Sequence, residues 1–152
     1  MIAVFLICAS LNVNPAFDVS PDSLPGWTLV GPARHVRDAD GRQCVLADEG
    51  AARGDLFPVV GGTEIKVTLK GCGPKYLRKR TKVWVAVSFF ATPEEARAKG
   101  AQWNLARPKL EVATSEVSEK SETYPVPPDA KWCCLTVRGG SAYRCEAELV
   151  KK

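Results

Sequence analysis

The sequence predicts an all-β protein of many short strands with one short helix. Three observations support this prediction. Strand-favouring residues alternate with polar ones along several stretches, 12 glycines and 11 prolines separate these stretches, and only one segment carries helix signals. With 152 residues, 45% hydrophobic and 25% charged, the chain fits one globular domain and excludes a disordered or fibrous protein. The net charge of +4 permits an acidic partner without requiring one.

The predicted strands are bounded by Gly, Pro or Asp residues. Residues 82–90 are apolar on both faces, which predicts a strand in the centre of a sheet. Residues 64–70 place Ile65, Val67 and Leu69 on one face and polar side chains on the other. The strands are predicted at residues 27–30, 34–37, 43–46, 64–70, 82–90, 131–138 and 142–150.

One helix is predicted over residues 92–99. Thr92 is a typical N-cap residue, Pro93 suits the first helical position, and two acidic residues follow in the first turn. Gly100 is expected to end the helix. Residues 111–123 are polar and predict an exposed strand or a loop.

The first eleven residues are apolar apart from Ser10. This run is shorter than the roughly 20 residues that span a bilayer, so no stable membrane span is predicted. Its length matches the core of a signal peptide, although the basic residues that precede such a core are absent. Residues 1–13 are therefore interpreted as a signal peptide or apolar N-terminal segment, and 14–152 as the folded domain. A buried first strand is the alternative. The first interpretation predicts a secreted, cell-surface or periplasmic protein.

Export would make disulfide bonds possible. No Cys-x-x-Cys pair occurs and the chain has a single histidine, which argues against a structural zinc site. If Cys8 belongs to a signal peptide, at most two disulfides form, and their pairing stays open. Five free thiols would argue against export. The remaining cysteines are Cys44, Cys72, Cys133, Cys134 and Cys145.

Five motifs follow one another in an order that is informative as a set. They are Asn14-Pro15-Ala16-Phe17-Asp18, Pro25-Gly26-Trp27, Val59-Val60-Gly61-Gly62-Thr63-Glu64-Ile65, Pro127-Pro128-Asp129-Ala130 and an aromatic-rich closing strand. This order resembles the galactose-binding-like jelly roll of bacterial carbohydrate-binding modules, over nearly everything after residue 13. The resemblance implies an antiparallel two-sheet β-sandwich with one short helical insertion, and it implies that the Trp27 ring lies between the sheets.

The resemblance also implies a structural calcium ion, held by an early acidic residue and by paired Asp residues of the closing strand. In this sequence the corresponding residues are Asp18 and Cys145-Glu146. Calcium prefers oxygen ligands, so a thiol in place of one carboxylate weakens such a site. Asp18 and Glu146 are therefore the candidate metal ligands, and no other cofactor is expected.

Sugar binding in domains of this kind relies on exposed aromatic rings, supplemented by polar side chains. Strand alternation places Trp84 and Trp132 on the sides of their strands that face away from the core. A ligand would explain this placement, and so would a cover formed by the predicted helix or the loop around Trp103. Trp103 and Tyr143 are further candidates because they lie in or near loops.

A basic run covers residues 75–82 and contains Arg78 and Arg80. It is interpreted either as a solvated connection between strands or as a site that attracts an acidic polysaccharide. Nucleic acid is not expected as a partner, because the rest of the chain is nearly balanced in charge.

No catalytic site is predicted, since His35 is the only histidine and no nucleophile motif accompanies it. The predicted function is non-catalytic carbohydrate binding at or outside the cell surface, with a polysaccharide or glycan as partner. The alternative is a structural or protein-interaction module of a surface or envelope assembly. In that case the partner would be a surface protein and no sugar site would exist.

Overall fold

The computed structural model of the protein describes residues 10–18, 24–74, 82–97 and 105–150. Within these ranges two antiparallel β-sheets pack face to face, and one short helix follows a central strand. This arrangement confirms the predicted β-sandwich with one helical insertion. The elements are β1 Trp27–Val30, β2 Arg34–Arg37, β3 Gln43–Leu46, β4 Ala51–Gly54, β5 Phe57–Pro58, β6 Glu64–Cys72, β7 Val83–Phe90, α1 Pro93–Arg97, β8 Lys109–Val112, β9 Ser118–Pro125, β10 Trp132–Arg138 and β11 Ser141–Leu149.

The two sheets are named here by their strand orders. Sheet 1 has the order β1-β4-β10-β7-β8, with β5 also paired to β10, and sheet 2 has the order β2-β3-β11-β6-β9. Strand β7 lies between β10 and β8, which confirms the central position predicted from its two apolar faces. Strands β2 and β3, both predicted, pair as an antiparallel hairpin.

The core lies between the sheets and consists of the inward side chains of both. Phe89 and Leu135 of sheet 1 and Leu69 of sheet 2 are completely buried. Each such side chain contributes on the order of 2 kcal/mol to folding. The Trp27 ring lies 4.8 Å from the Phe17 ring in this core, as the resemblance implied.

The segment 10–18 closes the open side of β11. Leu11 N donates to Ala147 O at 2.7 Å, and Cys145 N donates to Pro15 O at 2.9 Å. Between these bonds the buried Asn12 amide donates to Cys145 O and accepts from Ala147 N, at 2.9 and 2.8 Å. Leu11 and Asn12 therefore pack as part of the sandwich. Residues 1–9 lie outside the described ranges, and removal of an N-terminal segment stays a prediction.

Three strands were not expected from the sequence: β4, the two-residue β5 and β8. Strand β4 has the sequence Ala-Ala-Arg-Gly and lacks β-branched residues, but its small side chains fit closely between β1 and β10. The polar stretch predicted at 111–123 is divided, because its first two residues end β8 and residues 118–123 lie in the edge strand β9. In the described part of the chain no helix is long and apolar enough to cross a membrane.

The expected disulfides are absent among the five described cysteines, all of which are buried. The register explains why: Cys145 is opposite Leu69, Cys134 is opposite Ser88 and Cys72 is opposite Ser141, so no two cysteines face each other across a ladder. Burial raises the pKa of the Cys133 thiol, which keeps it protonated. The disulfide prediction is wrong for these residues, and their reduced state counts against export.

Candidate functional site

Two tryptophans lie on the outer face of sheet 1, which is turned away from the core. Trp84 of β7 and Trp132 of β10 belong to hydrogen-bonded neighbouring strands, and both alternate with core residues as the sequence predicted. Trp84 is opposite Arg138, whereas Trp132 is opposite Phe90 at the other end of the ladder. The two rings are therefore about 20 Å apart along the strands.

The floor between the two tryptophans is made of small side chains. Because paired residues of neighbouring strands point to the same side, the alternation places these residues on the outer face with the rings. This strip of small residues between the two rings is called the trough here. The floor residues are Ala86, Ser88, Cys134 and Thr136, and all four are buried.

Helix α1 covers the Trp132 end of this trough. Its start is fixed by Thr92, whose hydroxyl accepts a hydrogen bond from Glu95 N at 3.2 Å. Its body is held by Arg53 of β4, which donates from Nη2 to Ala96 O at 2.6 Å. The cluster beneath the helix consists of Phe90, Ala96 and Cys134, with Leu56 and Trp132 packed against it. Trp132 therefore packs against this cluster, and its contact with a ligand stays a prediction.

The Trp84 end is only half-buried. The Lys109 ammonium lies over the indole, 4.5 Å from the ring centroid. The edge of the ring lies against Gly139, where a Cβ would come within 3.1 Å of Trp84 Cδ1 and Nε1. Gly139 also has a φ of 89°, a backbone conformation that favours glycine. Its lack of a side chain therefore allows both the turn and the close approach of the Trp84 ring. Gly139 therefore fixes one edge of the Trp84 ring, Lys109 covers one face, and the half-buried ring keeps an accessible part.

Basic residues surround this accessible end. Arg138 lies on the outer face by register, opposite Trp84, and Lys109 lies beside Trp84. Lys82 Nζ contacts Glu111 Oε1 at 2.8 Å across the same edge. Glu111 is the one acidic residue on the outer face of β7, β8 and β10, so the described part of the trough carries a net positive charge.

Three predicted ligand-binding residues, Arg78, Arg80 and Trp103, lie outside the described ranges. Their roles stay predictions. The sequence did not single out Arg53 or Lys109 as functional, because neither belongs to a charge cluster. The strand register places both residues on the outer face, because Arg53 pairs with Thr136 and Lys109 pairs with Ala86.

Tyr143 does not join the tryptophans, because it lies on sheet 2. It occupies a β-bulge of β11, between Ala142 opposite Gly71 and Arg144 opposite Lys70. A bulge redirects the side chain of its extra residue, and the Tyr143 ring lies under the guanidinium of Arg42, 4.8 Å from Cζ to the centroid.

The two candidate calcium ligands are not brought into a metal-binding group. The Glu146 carboxylate accepts hydrogen bonds from the guanidinium of Arg144, one of them from Nε at 2.9 Å. Asp18 is exposed, and its backbone is bonded to the side chain of Asn14. In the described ranges no three His, Cys, Asp or Glu side chains are placed to hold a metal ion. A calcium site with these residues stays a prediction, and it would have to displace Arg144 from Glu146.

No protein-family model and no curated protein sequence matches this chain. Solved structures do match its fold. A family 16 carbohydrate-binding module aligns with 93% of this chain and 99% of its own length, at 16% identity and a TM-score of 0.55. A CBM4 module aligns over 93% of this chain and 97% of its own, at 14% identity and a TM-score of 0.52.

The fold is that of a carbohydrate-binding module. The chain also matches the xylanase 10B of Clostridium thermocellum, solved as CBM22-1 and GH10 modules with xylohexaose, at 14% identity and a TM-score of 0.56. It covers 28% of that longer protein, whereas it covers nearly all of the two isolated modules. At such identities the likeness establishes the module fold, and the function has to be argued from the side chains.

Proposed function

We propose that the protein is a non-catalytic carbohydrate-binding module that holds a polysaccharide against the Trp84 end of the sheet 1 trough. The observation that carries the proposal is the accessible Trp84 ring beside a floor of small residues and a rim of basic ones. The module fold supports the same function.

The Trp84 ring provides the apolar contact. An indole is a large, rigid surface, and the C–H groups on one side of a pyranose ring can stack on it. The Lys109 side chain whose ammonium covers the ring is exposed on the edge strand β8, and such exposed contacts are worth about 0.5–1 kcal/mol. A sugar ring can therefore replace Lys109 at small cost, and the released ammonium stays available for a hydrogen bond.

The rim favours an acidic polymer. Arg138, Lys109 and Lys82 surround Trp84, and Glu111 is paired with Lys82. A chain with carboxylate substituents would be attracted by these groups, and the attraction would weaken with salt. We therefore propose a uronic-acid-bearing polysaccharide as the preferred ligand over a neutral one.

The absence of paired acids supports a binding role without catalysis. Glycoside hydrolysis uses two carboxyl groups on either side of the bond, and the described part of the trough offers Glu111 alone. The single histidine, His35, is on sheet 2, where its Nε2 lies 3.1 Å from Phe17 O.

Polysaccharides of this kind lie outside cells, so we propose that the protein acts at or outside the cell surface. The apolar N-terminal run supports this location and the reduced thiols do not. Those thiols are buried, however, and a thiol kept protonated by burial is slow to oxidise.

Affinity electrophoresis in gels that contain glucuronoxylan or an unsubstituted xylan tests the proposal. Wild-type protein should be retarded, more strongly by glucuronoxylan and less so at high salt. Trp84→Ala should lose at least tenfold in affinity, because stacking on an aromatic ring is its main apolar contact. Trp132→Phe is the matched control and should bind as the wild type does.

Equal retardation of wild type and Trp84→Ala would refute the site. No retardation by any polysaccharide would favour the protein-interaction alternative. For that function the edge strand β1 is the candidate surface, since Leu29 and Val30 are exposed on it.

A further inference from the structure

A pocket of about 380 Å³ lies on the outer face of sheet 2, away from the tryptophans. Its floor is a row of three residues in register, Leu46 of β3, Ser141 of β11 and Cys72 of β6. One wall is the β2–β3 turn with Tyr143, and the opposite wall comprises the segments after β6 and before β9. Pockets that hold small ligands have volumes of roughly 300–1,000 Å³, so this one has room for a single sugar ring.

The turn wall is held rigidly by Asp38. Its Oδ1 accepts hydrogen bonds from Asp40 N and Arg42 N, both at 2.9 Å, and its Oδ2 accepts from Arg42 Nε at 2.8 Å. The Tyr143 hydroxyl adds a further hydrogen bond. Desolvation acts to raise the pKa of Asp38, but these hydrogen bonds outweigh it and lower the pKa, so the carboxylate stays ionised at neutral pH.

Tyr143 is a donor within this wall. Burial, and then its hydrogen bond to Asp38, raise the pKa of the Tyr143 phenol, which keeps the hydroxyl protonated. With Arg42 stacked on the ring, the bulge, the turn and the guanidinium form one preorganised unit. Preorganisation reduces the entropy lost on binding.

The remaining groups of the lining mix donors with acceptors. Arg34 offers guanidinium donors, Asp48 offers a carboxylate, and Ser115 and Ser141 offer hydroxyls that act in both ways. The lining has three acidic residues, Asp38, Asp40 and Asp48, against two arginines. This balance disfavours an anionic ligand and suits a neutral molecule with several hydroxyl groups.

We infer that this pocket is a second binding site, which takes one neutral sugar ring as a free monosaccharide or as the end of a glycan chain. The pocket is closed on two sides, so a ring enters it singly, whereas the trough of sheet 1 is long enough for an internal stretch of polymer. The inference does not rest on the sheet 1 proposal, because the two sites lie on opposite sheets and share no residue.

Saturation-transfer NMR titrations with the methyl glycosides of glucose, galactose, xylose and glucuronic acid test the inference. At least one neutral glycoside should bind with a Kd of about 1–10 mM, a range expected for so small a ligand. In the Trp84→Ala variant, which lacks the sheet 1 site, the glucuronide should bind at least about fivefold more weakly than the neutral glycoside because of the surplus carboxylate in the pocket.

Two variants locate the binding. Ser141→Leu fills the pocket from its floor and should abolish the signal, and Asp48→Ala removes an acceptor and should weaken binding about tenfold. Trp84→Ala is the control and should leave monosaccharide binding unchanged, whatever it does to polysaccharide binding. Thermal unfolding of each variant shows that it is folded.

Three results would overturn the inference: no neutral glycoside binds, folded Ser141→Leu binds as the wild type does, or Trp84→Ala abolishes the monosaccharide signal.

Discussion

The outer faces of the two sheets differ in what their side chains do. The outer face of sheet 1 carries tryptophans, a small-residue floor and unbalanced basic groups, and α1 covers one end of it. The outer face of sheet 2 is polar and self-paired. There Glu146 is bonded to Arg144, and Thr68 Oγ1 lies 2.7 Å from Ser121 Oγ. In the part that the structure describes, the outer face of sheet 1 therefore has aromatic side chains and basic side chains without partners of opposite charge. On the outer face of sheet 2 several polar side chains are paired with one another.

The central strands show the same contrast. In β6 the inward residues are buried, while outward Lys66 is exposed. In β7 every residue except Trp84 is buried, on the outer face of the strand as well as on the inner one. At one end of β7 the outward residues are buried because α1 and the cluster beneath it cover them. The inner face of β7 packs in the core between the sheets, and one end of its outer face packs under α1.

The largest expected effect is a difference in stability between substitutions on the two faces of β7. Phe89 lies in the main core and its neighbour Phe90 lies in the cluster under α1. Phe89→Ala should reduce the free energy of unfolding by about 3–5 kcal/mol, because the core cannot close the cavity. Phe90→Ala should cost about half as much, since a five-residue helix can settle onto the gap. Urea unfolding measures both, and equal losses would show that the outer cluster is as rigid as the core.

The next largest effect concerns sheet 2, where the Asn12 side chain makes hydrogen bonds to β11 that a neighbouring strand would otherwise make. Asn12→Ala leaves Cys145 O and Ala147 N without their buried partner and should cost about 2 kcal/mol. Val13→Ala is the adjacent control, and its exposed side chain should matter by less than about 0.5 kcal/mol. If both variants unfold at the wild-type urea concentration, segment 10–18 does not stabilise the sandwich.

A smaller effect concerns Gly139, whose backbone lies against the Trp84 ring. Gly139 and Gly41 both have positive φ, so alanine should cost about 1 kcal/mol at Gly41 and more at Gly139, where a Cβ would also lie 2.9 Å from Lys82 O. Only at Gly139 would the new methyl group also press on Trp84, because nothing lies within 4 Å at Gly41. Gly139→Ala should therefore weaken polysaccharide binding in affinity gels and Gly41→Ala should not. Similar binding by the two variants would mean that Gly139 does not position the ring.

The smallest effect is a pH dependence on the sheet 2 side. Burial, together with neighbouring Glu49, raises the pKa of Asp48, and Arg34 opposes this shift. A raised carboxyl pKa stabilises the fold below its ordinary value, and this contribution is lost as the pH rises through the folded-state value. Asp48→Asn should therefore unfold about 1 °C higher than wild type at pH 7 and at the same temperature at pH 3. A larger difference at pH 3 than at pH 7 would contradict the assigned direction.

The strands that the sequence predicted are those with clear alternation, such as β6, β7 and β11. It missed β4, because small residues signal a strand only when their neighbours in the sheet are known. Alternation also placed Trp84 and Trp132 on one outer face. It could not tell that α1 covers Trp132, that Arg53 is bonded to that helix, or that Tyr143 lies on the other sheet, because these facts depend on register and on a bulge.

The calcium and disulfide expectations came from resemblance and cysteine count. The structure instead pairs Glu146 with Arg144 and separates the cysteines across the ladders. The cysteine outcome depends on which residues stand opposite one another across the ladders, and such pairing over long sequence distances is not encoded in local pattern. Arg144 and Glu146 are only two residues apart, and their contact depends on the conformations of the two side chains.

The most direct test of the central claim is a map of backbone amide shifts during titration with a glucuronoxylan oligosaccharide. The largest changes should fall on β7, β8 and the Arg138 end of β10, around Trp84, with little change in β6 and β9. Changes centred on sheet 2, or none at saturating ligand, would contradict the proposal that the outer face of sheet 1 binds a polysaccharide.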